Sequence, residues 1–147
     1  MKNLTLALIA HDSKKDDIVQ LLRDHRDSFE RLFLIATRST GQIIRERTGL
    51  DVTLVLSGTQ GGDHQIGALV ANGEIDSVIF LRDPLTAHSH EPDVSSLLRV
   101  CDVHSVPLAT NLSTAEAVLY LLAEHPEALG GHHLAAQLIE EIANVHN

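Results

Sequence analysis

Hydroxyl-bearing residues in the first half of the chain have the spacing of an anion site. Thr37, Ser39 and Thr40 form one cluster, and Ser57–Gly58 form a second. The first N–H groups of a helix have no intrahelical partner, so a helix beginning near Thr40 can bind a phosphate group together with these hydroxyls. Lys15 adds a positive charge. Helix capping is the alternative interpretation of the same Ser and Thr residues.

A carboxylate follows the second cluster at a glycine-rich turn. The segment 57–63 contains three glycines and ends in Asp63, but no lysine follows as in a Walker loop, and the dinucleotide fingerprint is absent. Glycines let the backbone approach a ligand, and a carboxylate beside a phosphate ester can act as a general base. The alternative, that Asp63 caps the following helix, remains equally open.

Histidines and carboxylates also occur together after Asp83–Pro84. His88, His90 and Asp93 follow within ten residues. A His–Asp pair suits proton transfer. The same spacing is weak evidence for a metal site, because the segment offers no clear third ligand for a metal ion. We therefore predict no bound metal. The alternative is a polar surface loop in which Asp93 caps the next helix.

Alternating strands and helices must position these side chains. Five continuously apolar segments are typical of parallel strands buried on both faces: Leu4–Ala10, Leu32–Ala36, Val52–Leu56, Val78–Leu81 and Pro107–Ala109. Helical patterns lie between and after them: Lys14–Arg26, Thr40–Thr48, His64–Asn72, Val94–His104, Thr114–Glu124 and Leu134–Val145.

This alternation predicts an α/β fold, with a doubly wound sheet of about five parallel strands flanked by helices in three layers. We expect one domain over residues 1–147, in which 130–147 form a helical tail. In such folds ligands bind outside the carboxyl ends of the strands. Ser13 with Asp16, and Ser113 with Glu116, have capping-box spacing at two helix starts, and Gly49 suits a helix end.

Composition limits the classes of function. A net charge of −9 and 3% aromatic residues disfavour nucleic-acid binding. One cysteine excludes a disulfide within the chain, and no apolar run is long enough for a membrane span, so we expect a cytoplasmic protein. Nine of the 11 basic residues lie in residues 1–50. We therefore expect few cationic side chains to bind a small anion, and hydroxyls and backbone amides to supply the remaining hydrogen-bond donors.

Five motifs in chain order resemble the methylglyoxal synthase family. They are Leu8-Ile9-Ala10-His11-Asp12 with Lys14-Lys15, Ala36-Thr37-x-x-Thr40-Gly41, Ser57-Gly58-x-x-Gly61-Gly62-Asp63, Asp83-Pro84-Leu85 with His90-Glu91-Pro92-Asp93-Val94, and Pro107-Leu108-Ala109-Thr110-Asn111. The similarity extends from about Leu4 to Ala117. It implies a lyase that converts dihydroxyacetone phosphate to methylglyoxal and inorganic phosphate without a metal or organic cofactor. It also implies a homohexamer that phosphate inhibits.

The resemblance assigns roles to the candidate residues. Asp63 would remove the proton alpha to the ketone, and His90 would polarise the carbonyl or shuttle protons between its oxygens. The carboxylates Asp12, Asp83 and Asp93 would orient His11, His90 and the base. The phosphate group would be bound by Lys15, Thr37, Ser39, Thr40, Ser57 and Gly58.

Three departures from the family pattern affect the phosphate site. Arg38 and Ser39 replace a glycine and a threonine, Thr59 replaces a proline, and nothing basic follows Arg99 where many members carry a C-terminal arginine. Our hypothesis is that Arg38 supplies part of that charge, or else narrows the site and weakens turnover. The alternative function is a non-catalytic phosphate-sensing module of the same fold.

Overall fold

A five-stranded parallel sheet forms the centre of the molecule. The computed structural model describes residues 4–86, 91–127 and 142–144, with residues 91–93 described by their backbone alone. The strands are β1 (Thr5–Ala10), β2 (Phe33–Thr37), β3 (Thr53–Val55), β4 (Ser77–Leu81) and β5 (Leu108–Ala109). Their order is β3-β2-β1-β4-β5, and every pair is parallel. The five predicted strands and the α/β fold are confirmed.

Within residues 4–86 and 91–127, six helices connect or follow these strands: α1 (Lys15–Asp24), α2 (Arg26–Glu30), α3 (Arg38–Thr48), α4 (Gly62–Ala71), α5 (Glu91–Val103) and α6 (Leu112–Glu124). Short 3-10 turns occupy Asp12–Lys14 and Gly58–Gln60. The predicted helix over 14–26 is interrupted at His25, so α2 is a separate element. The predicted helix Leu134–Val145 lies outside the described residues except for 142–144, which are helical.

The helices cover both faces of the sheet. Buried residues of α1, α2, α3 and α6 share one apolar cluster with Leu6 and Leu8 of β1. Residues of α4 and α5 share the other cluster with Ala7 and Ile9 of the same strand. Successive side chains of a strand point to opposite faces, so a strand covered on both faces must be apolar at every position. This confirms the predicted three layers.

The sheet reverses direction at its central strand. The chain adds β2 and then β3 on one side of β1, and then places β4 and β5 on the other side. In open parallel sheets such a reversal leaves a crevice at the carboxyl ends of the strands. No helix in the described part of the chain is long and apolar enough to cross a membrane.

Both predicted capping boxes are wrong. The 3-10 turn precedes α1, which begins at Lys15, and the Ser13 hydroxyl instead donates to Asp83 Oδ2 at 2.9 Å. The N-cap of α6 is Asn111, whose Oδ1 accepts the N–H of Thr114 at 3.0 Å. Gly49 does end α3, with a φ of 73° that favours glycine.

Candidate active site

A cavity of about 360 Å³ opens at the carboxyl ends of β1, β2 and β3. It gathers predicted site residues from three separate strand ends: His11, Asp12, Lys15, Thr37, Ser39, Ser57 and Gly58. Ile9, Ala10 and Thr59 complete its wall. None of these three has a predicted binding role, since two are strand residues whose side chains carry no polar group.

The N-terminus of α3 contributes to this cavity. Thr37 is the N-cap of the helix and has an extended backbone, but its side chain makes no capping hydrogen bond. Its hydroxyl donates instead to Thr40 Oγ1 at 3.2 Å. The side chain of Ser57 likewise does not cap the 3-10 turn that follows it. The capping alternative is therefore wrong for Thr37 and Ser57, and the positive end of the α3 dipole favours an anion beside Thr37 and Ser39.

Lys15 brings an ammonium group to the wall of the cavity. Its Nζ donates to the carbonyl of Ala10 at 2.5 Å and to Thr40 Oγ1 at 3.3 Å. Asp12 Oδ1 lies 3.5 Å away on a fully exposed side chain. Burial lowers the pKa of the Lys15 amine below its ordinary value, and the charge of Asp12 offsets part of that effect.

Thr40 lies behind this wall. It is fully buried and is absent from the cavity wall, whereas the other five residues predicted to bind phosphate, including the nearly buried Thr37, line the cavity. Its hydroxyl contacts the backbone of Ala10 as well as Thr37 and Lys15. Thr40 thus connects the ends of β1 and β2.

His11 has a defined tautomer because of its main-chain neighbour. The backbone N–H of Asp83 donates to His11 Nδ1 at 2.9 Å. A ring nitrogen that accepts a hydrogen bond carries no proton, so the neutral imidazole carries its proton on Nε2. The ring is almost fully buried and packs edge-on against Phe80, with centroids 5.2 Å apart.

The Asp83 carboxylate is held from two sides. Oδ1 accepts the N–H of Leu85 at 3.0 Å, and Oδ2 accepts the Ser13 hydroxyl at 2.9 Å. These bonds order the turn that presents the Asp83 N–H to His11. Ser13 was not predicted as a site residue, because its partner is 70 positions away in the chain.

Two glycines shape the turn between β3 and α4. Gly61 has a φ of 96°, which side-chain-bearing residues rarely adopt. A Cβ on Gly62 would lie 1.9 Å from the carbonyl oxygen of Leu56. Gln65, which the sequence analysis also missed, accepts the N–H of Leu56 through Oε1 at 2.7 Å. These features hold the Ser57–Gly58 segment at the cavity.

Asp63 is buried at the second position of α4. The N-cap of that helix is Gly61, so the alternative that Asp63 is the cap is wrong. Asp63 lines a second cavity, of about 200 Å³, whose walls include Ser96 and Leu97 of α5. The predicted base thus lies at the start of α4, in the wall of a cavity distinct from the one that gathers the hydroxyls.

The two predicted loop histidines, His88 and His90, lie outside the described residues. The backbone of Asp93 is the third residue of α5, inside the helix, so the alternative in which it caps that helix is wrong. Both α4 and α5 begin at the carboxyl edge of the sheet. Across the described ranges, no group of three or more His, Cys, Asp or Glu side chains has the arrangement of a metal site.

Arg38 stands at the first position of α3, exposed to solvent. Its two neighbours in the chain, Thr37 and Ser39, both line the first cavity. A positive charge at a helix N-terminus opposes the helix dipole. The Arg38 guanidinium is therefore electrostatically unfavourable for the helix, but it lies next to the Thr37 and Ser39 hydroxyls, which can donate to an anion.

The fold and the cavity define an α/β domain whose candidate site lies at the carboxyl ends of parallel strands. The sequence model of the MGS-like domain matches residues 17–110. Methylglyoxal synthase of Carboxydothermus hydrogenoformans is 60% identical over 119 residues, which cover 81% of this chain and 98% of that protein. The enzyme of the same name from Moorella thermoacetica is 55% identical over 84% of this chain and 96% of its own length.

A solved structure agrees with these matches. The crystal structure of methylglyoxal synthase from Elizabethkingia anophelis superposes with a TM-score of 0.78 at 41% identity, covering 82% of this chain and 81% of that one. The chain belongs to the methylglyoxal synthase family. The resemblance inferred from the motifs is thus confirmed, and with it the prediction that the chain is an enzyme.

Proposed function

We propose that this chain converts dihydroxyacetone phosphate to methylglyoxal and inorganic phosphate. The observation that carries the proposal is the cavity at β1, β2 and β3. Its wall combines a lysine ammonium, four hydroxyl side chains and an α-helix N-terminus without a side-chain cap. Its volume of about 360 Å³ accommodates a phosphorylated three-carbon substrate. The names of the relatives support the same reaction.

Phosphate binding in this cavity controls the outcome of the reaction. Lys15 supplies charge, Ser39 donates its hydroxyl hydrogen, and Gly58 offers its backbone N–H to the phosphate oxygens. The hydroxyls of Thr37 and Ser57, which donate to Thr40 Oγ1 and Gln60 Oε1 in this structure, turn their hydrogens to phosphate when it binds. Elimination requires the C–O bond to phosphate to stand perpendicular to the plane of the enediolate. Donors that fix the phosphate orientation therefore favour elimination over return to the ketone.

Proton removal is the role we propose for Asp63. Its carboxylate takes a proton from the hydroxymethyl carbon, and the C–H electron pair forms the double bond of the enediolate. The hydroxyl proton on that carbon then moves to the former carbonyl oxygen, and the electron pair left on the hydroxyl oxygen forms the aldehyde C=O. The C=C pair shifts toward the methylene carbon, and phosphate leaves with the electron pair of the C–O bond. Protonation of the resulting enol at its methylene carbon gives methylglyoxal.

Polar groups around the carbonyl stabilise the enediolate. His11 is neutral with its proton on Nε2, and a neutral imidazole is a suitable donor to a developing oxyanion. His90 keeps its predicted role at the carbonyl oxygen. Asp12, Asp83 and Asp93 keep their predicted role of orienting His11, His90 and the base, and Asp83 acts on His11 through its main chain.

A phosphate-sensing module without turnover is the second candidate. The observation in its favour is the separation of functions in the structure, since the hydroxyls line one cavity and Asp63 lines another. Such a module binds inorganic phosphate but releases no methylglyoxal. Phosphate inhibition, a homohexamer and a cytoplasmic location are further predictions for the enzyme.

The test supplies dihydroxyacetone phosphate and follows both methylglyoxal and released phosphate. We expect turnover by the wild type and a loss of about 10²- to 10⁴-fold in kcat for Asp63→Asn. The control is Asp51→Asn, an exposed carboxylate just before β3, at the opposite edge of the sheet. Absence of product from the wild type, or equal rates in Asp63→Asn and the control, would refute the proposal.

A further inference from the structure

Ser13 connects the two strand ends between which the sheet reverses direction. β1 and β4 pair as far as Ala10 and Leu81. Beyond that pair, the chain after β1 forms the 3-10 turn Asp12–Lys14, and the chain after β4 forms a turn at Asp83. The Ser13 hydroxyl donates to Asp83 Oδ2 at 2.9 Å. A side-chain hydrogen bond therefore joins the two turns where the hydrogen bonds between the strands have ended.

Asp83 is bound through its main chain as well as through its carboxylate. Its N–H donates to His11 Nδ1 at 2.9 Å, while its Oδ1 accepts the N–H of Leu85 at 3.0 Å. An aspartate that accepts the N–H of the second residue after it forms an Asx turn, which ties the carboxylate to the local backbone. A hydrogen bond from Ser13 to the carboxylate therefore also restrains the direction of the Asp83 N–H.

The main chain holds the turn of Ser13 without help from the serine hydroxyl. The N–H of Lys14 donates to the carbonyl of His11 at 2.8 Å, which closes the 3-10 turn. This turn has no side-chain cap, and α1 begins only at Lys15. Loss of the Ser13 hydroxyl should therefore leave the turn in place and remove mainly its connection to Asp83.

The position of the His11 proton depends on the direction of the Asp83 N–H. Because a backbone N–H can only donate, Nδ1 of the neutral ring must accept and Nε2 must carry the proton. Hydrogen bonds weaken steeply as the donor turns away from the acceptor. If the Asp83 turn shifts, the proton can move to Nδ1, and Nε2 then becomes an acceptor. An accepting nitrogen cannot donate to the oxygen of an enediolate.

We propose that Ser13 is a positioning residue that keeps the proton of His11 on Nε2 by acting through Asp83. Its hydroxyl holds the Asp83 carboxylate, the Asx turn restrains the Asp83 N–H, and that N–H selects the tautomer. This role requires no contact between Ser13 and the substrate. The inference rests on the proposed function for its kinetic consequence, whereas the tautomer is measured without substrate.

The first experiment observes His11 in the full chain labelled with ¹⁵N-histidine. Ser13→Ala removes the hydroxyl, and Ser13→Thr keeps it. Near neutral pH we expect Nε2-protonated His11 alone in the wild type and in Ser13→Thr. In Ser13→Ala, the Nδ1-protonated form should appear in about one molecule in ten or more. Long-range ¹H–¹⁵N correlation spectra distinguish the two forms. Nε2-protonated His11 alone in Ser13→Ala would overturn the proposal.

Turnover of dihydroxyacetone phosphate provides a second readout. Ser13→Ala should lower kcat about fivefold and leave KM within about twofold of wild type, because His11 donates to charge that develops in the transition state. Ser13→Thr should restore kcat to within about twofold. A higher KM at unchanged kcat would place Ser13 in substrate binding instead and would overturn the proposal.

Ser113→Ala is the matched control. Ser113 is exposed, lies at the second position of α6 and precedes Glu116 by the same spacing that separates Ser13 from Asp16. This change should leave both the His11 tautomer and kcat as in the wild type. The same changes in Ser113→Ala and in Ser13→Ala would mean a general structural effect and would contradict the proposed role.

A double-mutant cycle tests whether Ser13 acts through Asp83. Asp83→Ala removes the carboxylate and keeps the main-chain N–H. In that background, Ser13→Ala should not change the His11 tautomer further, and a further change would overturn the proposal. If the wild type forms no methylglyoxal but His11 responds as expected, the proposed function fails while this inference stands. If methylglyoxal forms but His11 is unchanged in Ser13→Ala, this inference alone fails.

Discussion

The main-chain N–H of Asp83 donates to Nδ1 of His11 across 2.9 Å, although the two residues are 72 positions apart in the chain. The bond joins the carboxyl ends of β1 and β4, the strand pair at which the sheet reverses direction. It also defines which nitrogen of His11 carries the proton, and so defines that side chain as a hydrogen-bond donor.

The first prediction concerns this tautomer. In a protein with ¹⁵N-labelled histidine, we expect His11 near neutral pH to be neutral, with a proton on Nε2 only. The measurement is a long-range ¹H–¹⁵N correlation spectrum, in which His11→Asn identifies the signal by its loss. A His11 signal with Nδ1 protonated at neutral pH would contradict the hydrogen bond from Asp83.

The second prediction concerns two glycines of α4. Gly62→Ala should destabilise the protein by more than about 2 kcal/mol, because its Cβ would lie 1.9 Å from the Leu56 carbonyl oxygen. Gly67→Ala is the control, since its Cβ would meet only Leu97 Cδ1, at 4.0 Å. We expect that change to be neutral or to stabilise by up to about 1 kcal/mol, because alanine favours a helix interior. Urea unfolding measures both, and equal stabilities would contradict the close approach.

The third prediction concerns Arg38. If its charge assists phosphate binding, Arg38→Gln should raise KM and the phosphate inhibition constant about three- to tenfold, with a smaller effect at high salt. Stability should not fall, because the arginine opposes the dipole of α3. The control is Arg31→Gln at the end of α2, where the guanidinium donates to the Asp27 carbonyl. Unchanged constants in Arg38→Gln would refute the compensation hypothesis. A gain in turnover would favour the alternative, that Arg38 narrows the site.

The fourth prediction concerns Cys101, which is buried in α5. Burial raises the pKa of its thiol to about 12, with a smaller contribution from the charge of Asp102. The folded protein should therefore not react with a thiol reagent such as DTNB at pH 8, whereas the urea-unfolded chain should react fully. A raised pKa also means that stability is retained below pH 9 and is lost as pH rises from 9 toward 12. Rapid labelling of the folded protein would contradict the burial.

The sequence by itself determined the strands and their double-sided burial. Continuous apolar segments such as Val78–Leu81 are unsuited to a sheet with one solvent-exposed face. They therefore predict parallel strands that helices cover on both faces. The carboxyl edge of the sheet then had to collect the residues after each strand. The order of strands and loops alone therefore predicts that His11, Lys15, Thr37 and Ser57 lie in one region.

The tertiary structure decided which of these side chains face the cavity. Thr40 follows Thr37 and Ser39 in one hydroxyl cluster, yet the turn of α3 points it into the interior, where it binds Ala10 and Lys15. Local spacing predicts the period of a helix. It does not predict which neighbouring element its side chains will contact.

Contacts between distant segments were likewise decided only by the fold. Ser13 has the spacing of a helix cap, but the Asp83 carboxylate 70 positions away takes its hydroxyl hydrogen. Asp63 and the hydroxyls belong to one motif, but they line different cavities. The sequence determined which donors and acceptors are available. The packing of strands and helices determined their partners, because a hydrogen bond depends on distance and direction in space.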